Sequence, residues 1–276
     1  MTPRTSERGI PGTKSAEETE IIPGRQAVLA ALEAGRPLHR IMVGERVASP
    51  PLARIMSLAH ERGVPVQVVS RDVLDARAGG WPHQGVLAVA AAWEYRSLDD
   101  VLAGVPAGRP ALLIALAGVQ DAGNLGAIAR SAECLGAHGL LVPARRSAGL
   151  TPGAARAAAG ALEWLPVARV TNLARALAGL KGHGLWVVGA EADGEILPWQ
   201  ADLTVPLVLV LGGEERGLGH SVRQACDLVV RIPTVGHVSS LNVAAAAAIL
   251  LYEADRQRRT GGRAGDATGG GSGGAM

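Results

Sequence analysis

The chain has 276 residues, of which 48% are hydrophobic and 19% are charged, so it can bury the cores of about two domains. Its net charge of +2 is too small to indicate nucleic-acid binding from charge alone. Cys134 and Cys226 lie far apart without a CxxC pattern, which favours a reducing, cytoplasmic compartment over a disulfide framework. Residues 1–20 lack the apolar core of a secretory signal. The longest uncharged stretch has a continuous apolar run only at residues 243–252, which is too short for a membrane span.

Helix and strand signals alternate over residues 21–92, beginning with a helix near Gly24, and predict a small α/β/α domain. Residues 93–110 mix charged residues with proline and glycine and predict a linker. The two ends, residues 1–20 and 259–276, are poor in large apolar side chains. They predict disordered tails, the second of them rich in glycine.

A larger alternation of strands and helices occupies residues 111–258. The strands are continuously apolar and helices join them, so we expect a mostly parallel α/β sheet covered on both faces. The predicted strands are residues 112–116, 139–142, 162–166, 185–188, 207–211 and 228–232. Open α/β sheets bind ligands at the carboxyl ends of their strands. The polar segments that follow these strands are therefore candidate sites.

The first candidate segment, residues 121–130, places Asn124 and Arg130 near the start of a helix. The free N–H groups of a helix start and a guanidinium can bind an anion such as phosphate. A tight turn with a capping asparagine and a surface arginine explains the same residues equally well.

The second segment is an apolar strand that opens at Leu211 into Gly212, Gly213 and Glu214. The glycines permit close backbone approach to a ligand. Their spacing differs from the dinucleotide fingerprint GxGxxG, which disfavours a dinucleotide-dependent oxidoreductase. A glycine-rich loop with solvated charges is the structural alternative.

The third segment runs from Ile232 through a loop into a helix that is almost all alanine. Capping by Ser239 or Ser240 is the structural interpretation. That interpretation places Asn242 one or two residues inside an apolar helix and gives no structural reason for it.

Together, and in this order, the three segments resemble the signature motifs of the SpoU/TrmH branch of the knotted SPOUT RNA methyltransferases. The matching residues are Asn124, Gly126 and Arg130, then Leu211, Gly212, Gly213 and Glu214, then Ile232, Pro233, Ser240, Leu241, Asn242 and Val243. Further similarity at residues 23–28, 83–86 and 147–164 resembles the RlmB-like ribosomal RNA guanosine 2′-O-methyltransferase type. Ala122 and Glu215 depart from the family pattern, and Glu215 adds a charge beside the expected cofactor loop.

The resemblance implies a trefoil-knotted methyltransferase domain, a smaller N-terminal RNA-binding domain, and a homodimer with its active site near the subunit interface. It implies S-adenosylmethionine as the cofactor. The implied cofactor-binding residues are Leu211, Gly212, Ile232 and Leu241. The implied catalytic residues are Arg130, Asn124, Glu214, Ser240 and Asn242. The candidates for RNA contact are Arg25, His83 and Gln84. The remaining histidines show no metal-ligand spacing, so no metal is expected.

The implied reaction is methyl transfer to the 2′-hydroxyl of an RNA ribose, most specifically a guanosine of bacterial 23S ribosomal RNA. The alternatives are a methyltransferase acting on transfer RNA, one that confers antibiotic resistance by modifying ribosomal RNA, and a non-catalytic RNA-binding protein. The resemblance gives Arg130 the role of base or of orienting group. Arginine does not deprotonate readily in proteins, which favours orientation.

Overall fold

The computed structural model of the protein describes residues 19–45, 49–214, 216–238 and 240–266. These residues form two α/β units, one built on a four-stranded sheet and the other on a six-stranded sheet. The prediction of a mixed α/β fold with a parallel-sheet domain and a smaller N-terminal domain is confirmed.

Two residues that entered the sequence-based predictions lie outside the described part of the chain. They are Glu215, the departure from the family pattern, and Ser239, one of the two serines considered as helix caps. Nearly all of the predicted N-terminal tail also lies outside it.

The small unit alternates strands and helices. Its elements are β1 (Thr19–Pro23), α1 (Arg25–Glu33), β2 (Leu38–Gly44), α2 (Pro50–Glu61), β3 (Val66–Val69), α3 (Arg71–Ala78) and β4 (Val86–Ala91). The strand order is β1-β4-β2-β3, with β4 antiparallel to both of its neighbours. Helices α1 and α2 bury Val28 and Ile55 on one face of the sheet, and α3 buries Leu74 on the other. The unit is therefore three-layered, as predicted.

Strand β1 corrects the predicted N-terminal tail at its boundary. The tail was expected to run through residue 20, but Thr19 pairs with Ala91 and Glu20 with Ala90. These pairs are backbone hydrogen bonds to a neighbouring strand, which any side chain can accompany. The polar composition of this stretch therefore gave no signal for it.

The segment predicted as a linker, residues 93–110, contains a helix, α4 (Leu98–Ala103). Ser97 and Asp100 form a reciprocal capping box at its start, and Val101 is fully buried in the core of the large unit. The prediction of a plain linker is wrong here. A helix of six residues is too short for apolar periodicity to reveal it, and its cap and one buried side chain define it instead.

The large unit is a parallel sheet with helices on both faces. Its remaining elements are β5 (Leu112–Ala117), α5 (Ala122–Cys134), β6 (Gly139–Pro143), α6 (Pro152–Ala158), β7 (Val167–Val170), α7 (Leu173–Gly182), β8 (Trp186–Ala190), β9 (Leu207–Gly212), α8 (His220–Ala225), β10 (Leu228–Val230) and α9 (Val243–Asp266). The strand order is β10-β8-β9-β5-β6-β7, and every pairing is parallel. Helices α5, α6 and α9 cover one face, and α4, α7 and α8 cover the other.

The strand predicted at residues 162–166 is wrong. Ala161–Glu163 is a short 3-10 helix, and the strand follows it as β7. Leu162 and Leu165 are nevertheless buried in the core. A short apolar run does not distinguish a buried turn from a buried strand.

Helix α9 extends to Asp266, so the glycine-rich tail does not begin at residue 259 as predicted. Arg258 donates hydrogen bonds to the carbonyls of Pro110 and Ala111 before β5, and of Leu203 and Val205 before β9. This side chain holds the helix against the amino-terminal edge of the sheet. The glycine-rich composition gave no signal for this contact.

The trefoil threading implied by the resemblance stays a prediction. Within the described residues, no helix is both long and apolar enough to cross a membrane.

The two units contact each other through a buried ion-pair cluster. Arg36 of the small unit lies 3.0 Å from Glu163 of the large unit and 3.0 Å from Glu20. Its guanidinium stacks 3.5 Å from the ring centre of Trp93. Burial raises the pKa of Glu163, and the charge of Arg36 opposes that rise. A buried carboxylate is stable only beside such a partner, so the cluster joins the units.

Candidate active site

Two adjoining cavities lie at the carboxyl edge of the large sheet. The first has a volume of about 430 Å³ and lies between the ends of β8, β9 and β10 and the start of α9. The second, about 800 Å³, lies between the ends of β5 and β6 and the start of α5. Five residues line both cavities: Gly213, Glu214, Arg216, Gly217 and Val243. A molecule in one cavity therefore meets a molecule in the other at these residues.

The glycines at the end of β9 are required by close backbone packing. A Cβ atom on Gly212 would lie 2.3 Å from the carbonyl carbon of Gly217. A Cβ atom on Gly213 would lie 2.3 Å from the carbonyl oxygen of Gly118, which follows β5. Both distances are far inside van der Waals contact. The backbone in this loop therefore has no room for a side chain, and it forms a wall of both cavities.

Three of the five predicted catalytic residues meet in one hydrogen-bond network. Asn124 Nδ2 donates to Glu214 Oε1 at 3.2 Å. Asn242 Nδ2 donates to Asn124 Oδ1 at 2.9 Å and to Glu214 Oε1 at 3.3 Å. The outer two residues of this network, Asn124 and Asn242, are 118 positions apart. The fold therefore brings the three motifs together.

Local structure fixes each member of the network. Asp121 caps α5 and accepts the backbone N–H of Asn124 at 2.7 Å, which places Asn124 in the first turn. Asn242 lies before α9, and its Oδ1 accepts the N–H groups of Ala244 and Ala245 at 2.9 and 3.4 Å. Asn242 is thus itself a helix cap, not a residue inside the helix as predicted. Its amide oxygen caps α9, and its amide nitrogen donates the hydrogen bonds to Asn124 and Glu214.

Arg130 is not part of this network. It is exposed on α5, lines neither cavity, and has no hydrogen bond or ion pair to any described residue. Six helical residues separate it from Asn124, which turns it about 120° around the helix axis and carries it ~9 Å along that axis. Within one chain, Arg130 therefore does not reach the other four residues, and its convergence with them at a subunit interface stays a prediction. Side chains at this spacing face different directions.

The other predicted residues of this region line the first cavity. They are Leu211, Gly212, Ile232, Ser240 and Leu241. Ser240 is exposed and has no hydrogen-bond partner among the described residues, so its hydroxyl is open to a ligand.

Sequence reasoning missed Glu191, which follows β8 and lines the first cavity. Its Oε1 accepts the N–H of Leu218 at 2.9 Å, and Arg223 forms an ion pair with it and with Asp193. The hydrogen bonds that Arg223 donates to the two carboxylates, to Asp193 first and then to Glu191, raise the pKa of Arg223. Glu191 holds the loop after Gly213 against the sheet. Its position directly after a strand was the only available signal.

A third cavity, of about 980 Å³, lies in the small unit and contains the predicted RNA-contacting residues. Arg25 Nε donates to the carbonyl of Gln84 at 2.9 Å. His83 is only 8% exposed. Its Nδ1 accepts the N–H of Gly85 at 3.0 Å, and its Nε2 lies 2.9 Å from Asp75 Oδ1.

His83 therefore lines this third cavity with both ring nitrogens already bonded, and its contact with RNA stays a prediction. Both of its ring nitrogens have partners within the small unit, and its hydrogen bond lowers the pKa of Asp75. Arg25 and Gln84 remain the candidates for contact. The described residues contain no group of three or more His, Cys, Asp or Glu side chains that could hold a metal ion.

Comparison with known proteins gives matches over both units. The SpoU rRNA Methylase family matches residues 111–252. A family described as RNA 2'-O ribose methyltransferase substrate binding matches residues 21–96. A Bacillus subtilis protein named "Putative TrmH family tRNA/rRNA methyltransferase YacO" is 39% identical over 244 residues, which are 88% of this chain and 98% of that protein.

Solved structures of similar fold include two with a bound cofactor. The SpoU methyltransferase AviRb from Streptomyces viridochromogenes, in complex with AdoMet, has a TM-score of 0.75 and 28% identity, covering 88% of this chain and 91% of that one. An AdoMet-bound rRNA methyltransferase from Sinorhizobium meliloti has a TM-score of 0.73 and 26% identity, covering 86% and 87%.

Proposed function

Because this chain belongs to the SpoU rRNA methylase family of tRNA/rRNA methyltransferases, we propose that it methylates the 2′-hydroxyl of an RNA ribose. The observation that carries this proposal is the hydrogen-bond network of Asn124, Glu214 and Asn242. It lies where a cofactor-sized cavity meets a larger, open one. A hydroxyl held there would face both the polar network and the cofactor.

The first cavity suits S-adenosylmethionine, the expected cofactor of this family. Its volume of about 430 Å³ falls in the range of small-molecule sites. Leu211, Ile232 and Leu241 give it apolar walls, and Gly212 contributes only backbone atoms to its lining. When bound, the cofactor supplies an electrophilic methyl group on a sulfonium centre.

The network supplies an acceptor for the ribose hydroxyl. Glu214 Oε1 takes both amide donors, and Oε2 has no partner among the described residues. Oε2 is therefore free to accept a hydrogen bond from the 2′-hydroxyl and to orient its oxygen. Orientation of two reactants accounts for a large part of such rate enhancements. A carboxylate acceptor also polarises the O–H bond as attack begins.

We propose that Arg130 acts in a homodimer, at the cleft that the first and second cavities form in the large unit of the partner subunit. Arg130 has no partner among the described residues of its own chain, and α5 packs beside α9. Helix α9 exposes Ile249 by 42% and Tyr252 by 60%, one helical turn apart on one face. Burying this apolar face against a second copy would stabilise a dimer. A guanidinium brought to the cleft in this way would orient a substrate phosphate.

For the substrate we propose a guanosine of bacterial large-subunit ribosomal RNA, modified in the cytoplasm. The SpoU rRNA Methylase match over the large unit supports ribosomal RNA. Transfer RNA is the second candidate, because the names of curated relatives include both RNAs. A non-catalytic RNA-binding protein would not need the Asn124–Glu214–Asn242 network. Only RNA carries the 2′-hydroxyl, so this reaction itself selects RNA over DNA.

Mapping of ribose methylations in a strain that lacks the gene, against its parent, tests this proposal. We expect one 2′-O-methylguanosine of 23S ribosomal RNA to disappear and to return when the gene is restored. Loss of a transfer RNA methylation instead would support the second candidate. Unchanged ribose methylation in both RNAs would contradict the proposed reaction.

A further inference from the structure

The geometry points to an RNA-binding track along the segment from β6 to α6, with Arg145 and Arg146 at the large-unit cleft and Arg156 at the small unit. This inference rests on the proposed function, because it takes RNA as the ligand. None of these three arginines belongs to the motifs that suggested the active site. The segment runs from the second cavity, which Arg145 and Arg146 line, to Arg156, which contacts Trp81 of the third cavity.

Arg145 and Arg146 are exposed, line the 800 Å³ cavity beside Asn124, and have no ion-pair or hydrogen-bond partner among the described residues. An arginine held near a cleft without a carboxylate is available to an incoming anion. Phosphate is the anion that a guanidinium binds best, through two parallel hydrogen bonds. The two side chains therefore suit phosphates next to the target ribose.

The loop that carries these arginines is held in place from several sides. Ser147 Oγ donates to the carbonyl of Pro143 at 2.6 Å, and the N–H of Ala148 donates to the carbonyl of Val119 at 2.8 Å. The N–H of Leu150 donates to the Tyr95 hydroxyl at 3.0 Å. Arg146 itself has a φ of 56°, a conformation that a non-glycine residue keeps only when its surroundings impose it. The loop thus fixes the backbone positions from which both arginine side chains extend into the cavity.

The other end of the track crosses between the two units. The guanidinium of Arg156 on α6 lies 3.8 Å from the ring centre of Trp81 in the small unit. Arg156 has no carboxylate partner among the described residues, so the edges of its guanidinium stay free. Trp81 is 36% exposed and lines the 980 Å³ cavity that also contains Arg25. A nucleotide bound there can place its phosphate on Arg156 and its base on Trp81.

RNA is the ligand that fits this track. Exposed guanidinium groups that alternate with an aromatic surface match a chain of phosphates and bases. One end of the track opens at the proposed site of ribose methylation, and the other at the unit that matches a substrate-binding family. The track is therefore the path along which one RNA strand would contact both units.

The salt dependence of RNA binding by the full chain tests this inference. The probe is a labelled single-stranded fragment of large-subunit ribosomal RNA, titrated at several salt concentrations. The slope of log affinity against log salt is negative, and each lost phosphate contact lowers its magnitude by about 0.7. We expect a decrease of about 1.4 for the R145A/R146A double variant and about 0.7 for Arg156→Ala.

Arg109→Ala is the matched control. Arg109 is also an exposed arginine of the large unit, but it lies before β5, at the opposite edge of the same sheet. We expect its slope to equal that of the unaltered protein. Thermal unfolding of each variant separates a change in RNA contact from a change in stability. This matters most for Arg156, which also contacts Trp81.

The outcomes separate the track from the proposed reaction. Unchanged slopes in the double variant and in Arg156→Ala, with methyl transfer by the unaltered protein intact, would overturn the track and leave the reaction standing. Decreased slopes without any methyl transfer to RNA would uphold the track and contradict the reaction. A protein that binds S-adenosylmethionine and no RNA would overturn both.

Discussion

The large-unit site and the small-unit cavity are built in opposite ways. The large-unit site joins Asn124, Glu214 and Asn242, three side chains from distant segments, through direct hydrogen bonds. In the small-unit cavity, His83 bonds only to near neighbours in sequence, Asp75 and Gly85, although Arg25 also reaches Gln84. A site made of distant segments depends on the whole sheet, whereas a local loop depends on its own few contacts. Substitutions should therefore have large effects in the first region and small ones in the second.

The largest effect is expected for Asn242→Asp. The aspartate still caps α9, because aspartate and asparagine are equally good caps. It loses the amide that donates to Asn124 and places a second negative charge beside Glu214. We expect turnover to decrease by about 100-fold, as misplacement of a reacting group does elsewhere. Methyl transfer to RNA, measured with cofactor affinity, checks this.

Asn172→Asp is the control for that substitution. Asn172 caps α7 in the same way, with its Oδ1 accepting the N–H of Arg175 at 3.0 Å, and its amide nitrogen has no partner among the described residues. We expect normal turnover from this variant. Equal losses in both variants would mean that capping, and not the network, supports activity.

The next largest effect is expected for Gly213→Ala. Its Cβ would lie 2.3 Å from the carbonyl oxygen of Gly118, so the wall between the two cavities must shift. Overpacking of this kind costs about 1–3 kcal/mol, so S-adenosylmethionine should bind roughly 10- to 100-fold more weakly. Calorimetric titration with the cofactor measures this.

Gly179→Ala is the matched substitution, because its added Cβ on helix α7 would have no atom within 4 Å apart from its chain neighbours and the backbone of its own helix. It should leave cofactor affinity unchanged. Tight cofactor binding by Gly213→Ala would show that the glycine wall does not shape the cofactor cavity.

An intermediate effect is expected when two variants are mixed to form mixed dimers. This experiment tests whether the large-unit site includes a residue of the second chain. Arg130→Ala and Asn242→Asp should each lose most of their turnover alone, by about 100-fold at most. If Arg130 acts on the partner subunit, equal mixing with exchange of subunits creates one intact site in half of the dimers, and about a quarter of the normal activity returns. Methyl-transfer assays of the mixture measure the recovery. A mixture that recovers no activity after verified subunit exchange would contradict action across the interface.

The smallest effect is expected in the small unit, for Asp75→Asn. Asp75 is exposed, and its bond to His83 replaces a contact with water, so its loss should weaken RNA binding by no more than about fivefold. Cofactor affinity should not change. RNA titration and cofactor titration of the same variant check both statements. A loss as large as that of Asn242→Asp would remove the contrast between the two regions.

The sequence predicted the α/β class and the parallel sheet because buried strands and intervening helices leave a strong apolar pattern. It predicted the meeting of Asn124, Glu214 and Asn242 only through their resemblance to family motifs, since spacing alone does not place residues 118 positions apart. It missed α4, whose single buried side chain, Val101, produces no periodicity. The short apolar run at residues 162–166 was wrongly predicted as a strand, because its side chains are buried and burial alone does not distinguish a strand from a turn.

The positions of side chains on helices were the least predictable part of the site. Arg130 follows Asn124 by six residues, and only helix geometry reveals that the two diverge. Asn242 looked like a polar residue inside a helix because the start of α9 was placed one or two residues too early. Glu191, Arg145 and Arg146 belong to no motif used in the sequence analysis. Their relevance came from the cavities that they line.

The role of the Asn124–Glu214–Asn242 network is tested by transfer of a labelled methyl group from S-adenosylmethionine to large-subunit ribosomal RNA, followed by digestion of the product to nucleosides. We predict that the label appears in 2′-O-methylguanosine with the unaltered protein and falls by about 100-fold with Asn242→Asp, as positioning effects allow. Label on a base, or equal 2′-O-methylation by both proteins, would contradict the claim that this network orients a ribose hydroxyl.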